Sequence, residues 1–403
     1  MTTDSTYYRK GFGLKSAVQD ELASDYDGRL VDLLRERDHT LTAGDVTVRL
    51  AKEFGFCYGV ERAVEYAYQT HRKFPDKKIF LVGEIIHNPH VNSRLREMGI
   101  EILASGEQGF DYSKVRPEDV VIMPAFGVTI ADFETLRGIG CIMVDTTCGS
   151  VLNVWKRVES YARDGFTALI HGKHYHEETR ATASQVRKYP DVHYVVVRHM
   201  DEARLVCDFI EGKLDRATLL AKLGHAASPG FDPDLHLKRI GVANQTTMLA
   251  RESLAIGEEV RQSMARAYGE DHVAEHFRTF DTICSATQDR QDAVRALLEE
   301  PLDIMVVVGG YNSSNTISLA AICAERVTTY HIEDATAIDP AAGTIRYRPA
   351  GIAHEERVAS DWLPAGRSLR IGLTAGASTP NNKIGETVAR IFATRGVSPE
   401  LAA

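Results

Sequence analysis

The sequence lacks any apolar run near the roughly 20 residues that span a bilayer, which argues against a membrane-spanning helix. It also lacks a surplus of basic side chains: 47 Lys and Arg stand against 56 Asp and Glu, a net charge of −9. A protein that works by covering nucleic-acid phosphates carries the opposite balance, so no nucleic-acid partner is expected. Cysteine is scarce, six in 403 residues. That is too few for a disulfide scaffold and better suited to buried side chains, metal ligands or nucleophiles. There is neither a Gly-Lys-Ser/Thr phosphate-loop ending nor a G-x-G-x-x-G spacing, which removes the commonest nucleotide fingerprints. The N-terminus has no signal-like apolar segment, and the early acids Asp4, Asp20, Glu21, Asp25 and Asp27 are unlike a transit peptide. A cytoplasmic location is expected.

What is present is ordinary globular composition, 44% hydrophobic and 26% charged, in a chain long enough for two or three domains. From Ile79 onward short Val- and Ile-rich runs recur: Ile79–Val82, Val120–Met123, Ile142–Val144, Ala168–Ile170, Tyr194–Val197, Ile240–Ala243, Ile304–Val308 and Leu369–Leu373. Strands buried on both faces look like this. Amphipathic helical patterns fall between many of them, such as Val151, Val154, Trp155, Val158 and Ala162. The class is α/β with mostly parallel sheets, and so many strands predict several small sheets rather than one. We divide the chain into an N-terminal extension (1–50) packed on the body and three α/β modules, 51–148, 149–283 and 284–403. The Pro- and Gly-marked stretch 334–368 reads as a surface insertion in the last.

Three cysteines share a context. Asp145-Thr146-Thr147-Cys148 recurs as Asp281-Thr282-Ile283-Cys284, each before a helical segment, and Phe56-Cys57-Tyr58-Gly59 precedes a third. The three lie 91 and 136 residues apart, roughly one per α/β repeat, as in modules set about a shared centre. A thiol where a chain enters a helix is favoured as thiolate by the partial positive charge there. Cys141, Cys207 and Cys323 lack this context and read as core residues. Structural zinc sites usually show close C-x₂₋₄-C pairs and four protein ligands, and no such pair exists here. A [4Fe-4S] cluster usually takes four thiolates. Held by three, it keeps one iron open to a substrate oxygen, as a catalytic metal must be.

Parallel α/β folds bind ligands beyond the carboxyl ends of their strands. Here nearly every strand exit is polar: Glu84 with His87-Asn88, His171 through Glu178, Asn244 through Thr247, Gly309 through Asn315, and Thr374 through Thr379. The last two loops run into helices and carry glycines and small hydroxyls that suit a phosphate or diphosphate, although ordinary capping by Asn312, Ser313 or Ser378 explains either one alone. His174 and His176 alternate as zinc ligands would, while His176 beside Glu178 equally suits an anion-binding imidazole next to a proton donor.

Taken together, Gly55-Phe56-Cys57-Tyr58-Gly59-Val60, Gly83 through Asn88, Asp145 through Cys148, His174 through Glu178, Gln245-Thr246-Thr247, Asp281 through Thr287, Asn312 through Asn315 and Thr374 through Ser378 resemble the LytB/IspH family. That is the family of 4-hydroxy-3-methylbut-2-enyl diphosphate reductases, the last step of methylerythritol phosphate isoprenoid synthesis. The match is in order over about residues 52–390, and the long N-terminus resembles the plant and cyanobacterial branch. The resemblance implies a pseudo-threefold trefoil around a [4Fe-4S] cluster on Cys57, Cys148 and Cys284. It implies that His87, His176, Ser313, Asn315 and Ser378, with Ser314 beside them, bind the diphosphate of an allylic substrate. It implies Glu178 as proton source and Thr246 as its helper, with ferredoxin or flavodoxin as electron donor. One position departs: Phe126-Gly127 stands where the short bacterial branch has His-Gly, which leaves one anion donor to be replaced. Other readings of the same residues are an iron–sulfur hydratase, a zinc phosphohydrolase built on His174, His176 and Glu178, and a non-catalytic iron–sulfur sensor.

Overall fold

The computed structural model describes residues 6–106, 109–280, 282–351 and 355–398. They fall into two compact units: Met1–Lys10, Asp76–Gly83 and Glu101–Cys284 in the first, and Gly11–Pro75, Glu84–Ile100 and Ser285–Ala403 in the second.

Two sheets organise the first unit. One is ordered Tyr7–Tyr8, Ile142–Asp145, Val120–Met123, Ile79–Val82, Ile100–Leu103, with Ile79 opposite Val120 and Val120 opposite Ile142 in parallel ladders. The other is wholly parallel and runs Tyr194–Val197, Thr167–His171, Ile240–Asn244, Phe277–Thr279. Alternate residues of Thr167–His171 serve two cores. Leu169 packs with Val195, Val197 and Val242 on one face, Ala168 and Ile170 with Val196 and Ala243 on the other. The unbroken apolar run Ala168–Ile170 is thereby accounted for, because both faces of the sheet are covered.

The second unit holds a sheet ordered Thr329–Ile332, Ile304–Val308, Leu369–Ala375, Val46–Leu50, Thr40–Ala43, parallel except for the last pair. Residues 40–50 therefore belong to a sheet, although they precede the run at Ile79 from which strands were read. Val46–Leu50 alternates buried and half-buried positions, so it never forms a continuous apolar run. The 334–368 stretch forms a three-stranded antiparallel sheet, Ile338–Asp339, Thr344–Tyr347 and Arg357–Ser360. Its turns lie where Pro and Gly mark them, but Ile338, Ile345, Trp362 and Leu363 join the core of the second unit. No helix among the described residues is long and apolar enough to cross a membrane.

The fold is thus α/β with mostly parallel sheets, as the sequence predicted, and its helices begin where the sequence placed the cysteines.

Candidate active site

Within the second unit, Cys57 is the N-cap residue of helix Tyr58–Lys73 and is partly exposed. Its loop is pinned from two sides. The Cys57 N–H donates to the Ala377 carbonyl at 3.2 Å. The buried Arg290 guanidinium donates to the carbonyls of Phe54, Gly55 and Phe56, at 2.8 Å for the shortest, to Gly55. A cation spread over three carbonyls fixes backbone that forms no regular ladder, and its loss leaves those acceptors buried and unpaired. Arg290→Met is expected to lower stability by about 2–4 kcal/mol, read as a fall in the denaturant midpoint. A midpoint equal to that of the unsubstituted protein would refute the pinning role.

The diphosphate candidates of this unit converge on the same segment. Ala377 N–H donates to Asn315 Oδ1 at 2.9 Å, and Ser378 Oγ donates to the His87 carbonyl at 3.1 Å. Ser313 caps helix Ser314–Ala324, its Oγ accepting from the Thr316 N–H. Ser313, Ser314, Asn315, Ser378 and His87 are all buried. His87 Nδ1 lies 2.8 Å from Glu84 Oε2, which also accepts from Asn312 Nδ2 at 3.1 Å. Gly310 has to be glycine, since a Cβ there would stand 2.7 Å from the His87 carbonyl oxygen. Below it, the His331 Nε2–H donates to the Gly309 carbonyl at 2.9 Å, and burial lowers this histidine to about 4, so the ring is neutral. In this segment Asn315 Nδ2 and Thr316 Oγ1 have no partner among the described residues, the latter packed against the backbone of Gly309 and Gly376.

Within the first unit, Cys148 is the N-cap residue of helix Gly149–Arg163, its N–H held by the Ala125 carbonyl at 2.9 Å. The Asp of its motif is structural: Asp145 Oδ1 accepts from both the N–H and the hydroxyl of Thr147, at 2.9 and 2.5 Å. Asp281 of the second motif copy lies outside the described residues. Cys284 is partly exposed and takes a hydrogen bond from Ser150 Oγ at 3.3 Å, which brings it to the first turn of the helix that Cys148 caps. The other three thiols differ in kind. Cys141, Cys207 and Cys323 are buried, and burial pushes them up, to about 11 for the first and about 12 for the other two.

Glu178 lies in helix Glu177–Ser184 with 1% of its surface exposed, and its Oε1 accepts from the Thr246 N–H at 2.5 Å. His176 caps that helix, Nδ1 accepting the Glu178 N–H at 3.2 Å. The ring of Phe126 meets His176 edge to face at 5.7 Å, so this departure from the bacterial pattern supplies an apolar wall to the imidazole. Gly127 carries φ +75°, and a Cβ there would lie 2.4 Å from the Trp155 ring. Gln245, which the sequence reading left without a role, holds this loop together: its Oε1 accepts from the Lys173 N–H and the Thr179 hydroxyl, both at 3.1 Å. His174 stands apart, exposed and packed edge to face on His225 at 4.9 Å. Among the described residues no metal-competent cluster combines His174, His176 and Glu178, which removes the basis of the zinc phosphohydrolase reading.

Fold and residues define a parallel α/β protein that carries helix-entry thiols, a buried carboxylate and buried hydroxyl, amide and imidazole side chains in the loops after its strands. Within that class the chain belongs to the LytB family, whose model, described as LytB protein, matches residues 48–392. It is 48% identical over 396 residues to a 4-hydroxy-3-methylbut-2-enyl diphosphate reductase of Gloeobacter violaceus, covering 97% of this chain and 93% of the relative. To the enzyme of that name from Thermosynechococcus vestitus it is 47% identical over 397 residues, covering 98% and 96%. A solved structure of (E)-4-hydroxy-3-methyl-but-2-enyl diphosphate reductase, the terminal enzyme of the non-mevalonate pathway, is similar with a TM-score of 0.52 at 28% identity, covering 85% of this chain and 98% of that one.

Proposed function

We propose that this chain is a 4-hydroxy-3-methylbut-2-enyl diphosphate reductase. It replaces the allylic hydroxyl of its substrate with hydrogen, giving isopentenyl and dimethylallyl diphosphates and water at the expense of two electrons and two protons. The observation that carries the chemistry is the buried Glu178 carboxylate held at 2.5 Å on the Thr246 N–H. A carboxyl group shut away from water and held in one place suits proton delivery to a leaving hydroxyl, which departs poorly as hydroxide. Thr246 also offers a hydroxyl that can orient the substrate oxygen. The buried donors of His87, His176, Ser313, Ser314, Asn315 and Ser378 anchor the diphosphate and so fix where the hydroxymethyl group lies.

The thiols support an iron–sulfur cofactor: of six, the three at helix starts are the partly exposed ones, and a helix N-terminus favours thiolate. We assign Cys57, Cys148 and Cys284 as ligands of a [4Fe-4S] cluster, which when bound supplies single-electron transfer and Lewis acidity. The same proposal takes in the modules 51–148, 149–283 and 284–403 with their pseudo-threefold grouping, a cytoplasmic location, and ferredoxin or flavodoxin as electron donor.

Asn315→Asp tests the anchoring. It keeps the oxygen that accepts from Ala377 N–H and turns the unpaired donor into a charge facing an anion. KM for the allylic diphosphate is expected to rise about 10- to 100-fold, from the loss of a hydrogen bond to a charged group plus repulsion. Unchanged KM in steady-state assays with a one-electron donor would remove Asn315 from the site.

A further inference from the structure

A cavity of about 560 Å³ lies in the first unit, and the proposed reaction does not use it. Two arginines line it, Arg180 and Arg187, among the neutral hydroxyls of Thr129, Ser184 and Ser228, with His174 and His225 at its edge. Its remaining wall is apolar, with Val186, Val192 and Val196. Among the described residues neither Arg180 nor Arg187 has an ion pair or a side-chain hydrogen bond, although most arginines of this unit do. Both arginines and Tyr194 line the same cavity. The one acid in the lining, Asp132, is held on the Thr129 side, its Oδ2 accepting from the Thr129 hydroxyl at 2.5 Å and its Oδ1 from the Tyr112 hydroxyl at 3.0 Å, and one carboxylate stands against two guanidiniums.

The cavity is separate from the candidate active site. Glu178 and Arg180 are two residues apart on one helix, about 200° around it, so buried Glu178 and exposed Arg180 occupy opposite faces. The volume is that of pockets that enclose small organic ligands. Two unpaired guanidiniums make planar, forked contacts suited to phosphate oxygens, and the valine wall has no use for an inorganic ion.

We infer that this cavity is a second ligand site, for an organic phosphate whose anionic group lies between Arg180 and Arg187 and whose apolar or aromatic body rests on Val186, Val192 and Val196. Two kinds of metabolite share that chemistry, nucleotides and prenyl phosphates, and they differ only in the body.

The test uses full-length, anaerobically prepared holoprotein. The candidate active site is filled with saturating 4-hydroxy-3-methylbut-2-enyl diphosphate without reductant, and the protein is titrated calorimetrically with ADP and, separately, with geranyl diphosphate. At least one probe is expected to bind at one equivalent, and the one that binds names the body. Arg180→Gln and Arg187→Gln should each weaken that binding about tenfold. Failure of both probes to bind, or binding unchanged in both variants, overturns the inference. Should Arg180→Gln disturb its short helix, Arg187→Gln, outside that helix and exposed, decides alone. If the allylic diphosphate itself does not bind, the reading of the active site falls. The same titrations on substrate-free protein, compared between variants, still decide the cavity.

Discussion

Glu178→Gln is expected to lower turnover about 10²- to 10⁴-fold, the range that a positioned general acid contributes, while KM changes little. The substitution is close to isosteric, and the amide oxygen of glutamine can still accept from the Thr246 N–H that now meets Oε1 at 2.5 Å. A site 1% exposed would otherwise be left with an unpaired backbone donor, so this variant isolates the proton from the packing. Glu178→Ala would confuse the two by opening a cavity beside His176. The measurement is steady-state reduction of the allylic diphosphate, together with the absorption spectrum and iron content. Those should match the unsubstituted protein if the defect is only protonic. Turnover within about threefold of normal would show that the proton comes from elsewhere and that Glu178 is a buried structural acid.

The sequence made this region legible for a definite reason. Parallel strands buried on both faces carry unbroken apolar runs, so Ala168–Ile170 and Ile240–Ala243 stand out, and the polar residues from His171 and Asn244 onward mark the strand ends. Glu178 beside His176 was noticed that way, while Thr246 stood out only as one of the polar residues and took its role from the family resemblance; the fold brings the two into contact across 68 positions of chain. The sequence is silent where residues far apart act on backbone. Nothing in the run around Arg290 announces that its guanidinium holds three carbonyls of the Cys57 loop more than 230 positions away. Gln245 is similar: its neighbours Thr246 and Thr247 draw attention as polar, but its use as a clamp between Lys173 and Thr179 is visible only in three dimensions. Phe126 was read as the loss of an anion donor. The edge-to-face contact with His176 gives that same position a packing role. The strand Val46–Leu50 was missed because one-sided exposure gives alternation, which a search for continuous apolar runs passes over.

The six cysteines offer the sharpest division that the chain allows. Serine in place of Cys57, Cys148 or Cys284 is expected to remove most bound iron and sulfide and to reduce turnover to background, because an alkoxide is a poor substitute for thiolate in an iron–sulfur cluster. Alanine in place of Cys141 or Cys207 is expected to leave iron content and turnover unchanged. Those thiols are buried, with pKa pushed up to about 11 and about 12, so they stay protonated at neutral pH, when a ligand must be a thiolate. Their cost should be confined to stability, about 1 kcal/mol for a small apolar group lost from a packed core. Cys284 is the most informative of the three, because Ser150 Oγ donates to its sulfur at 3.3 Å and would donate equally to a serine oxygen. The local structure therefore survives the change and only the ligand is lost. Iron and sulfide analysis of anaerobic preparations reads the outcome directly. A Cys284→Ser protein that retained a full complement of iron and turned over normally would remove the three-thiolate assignment, and with it the open coordination position on which the reductase chemistry depends.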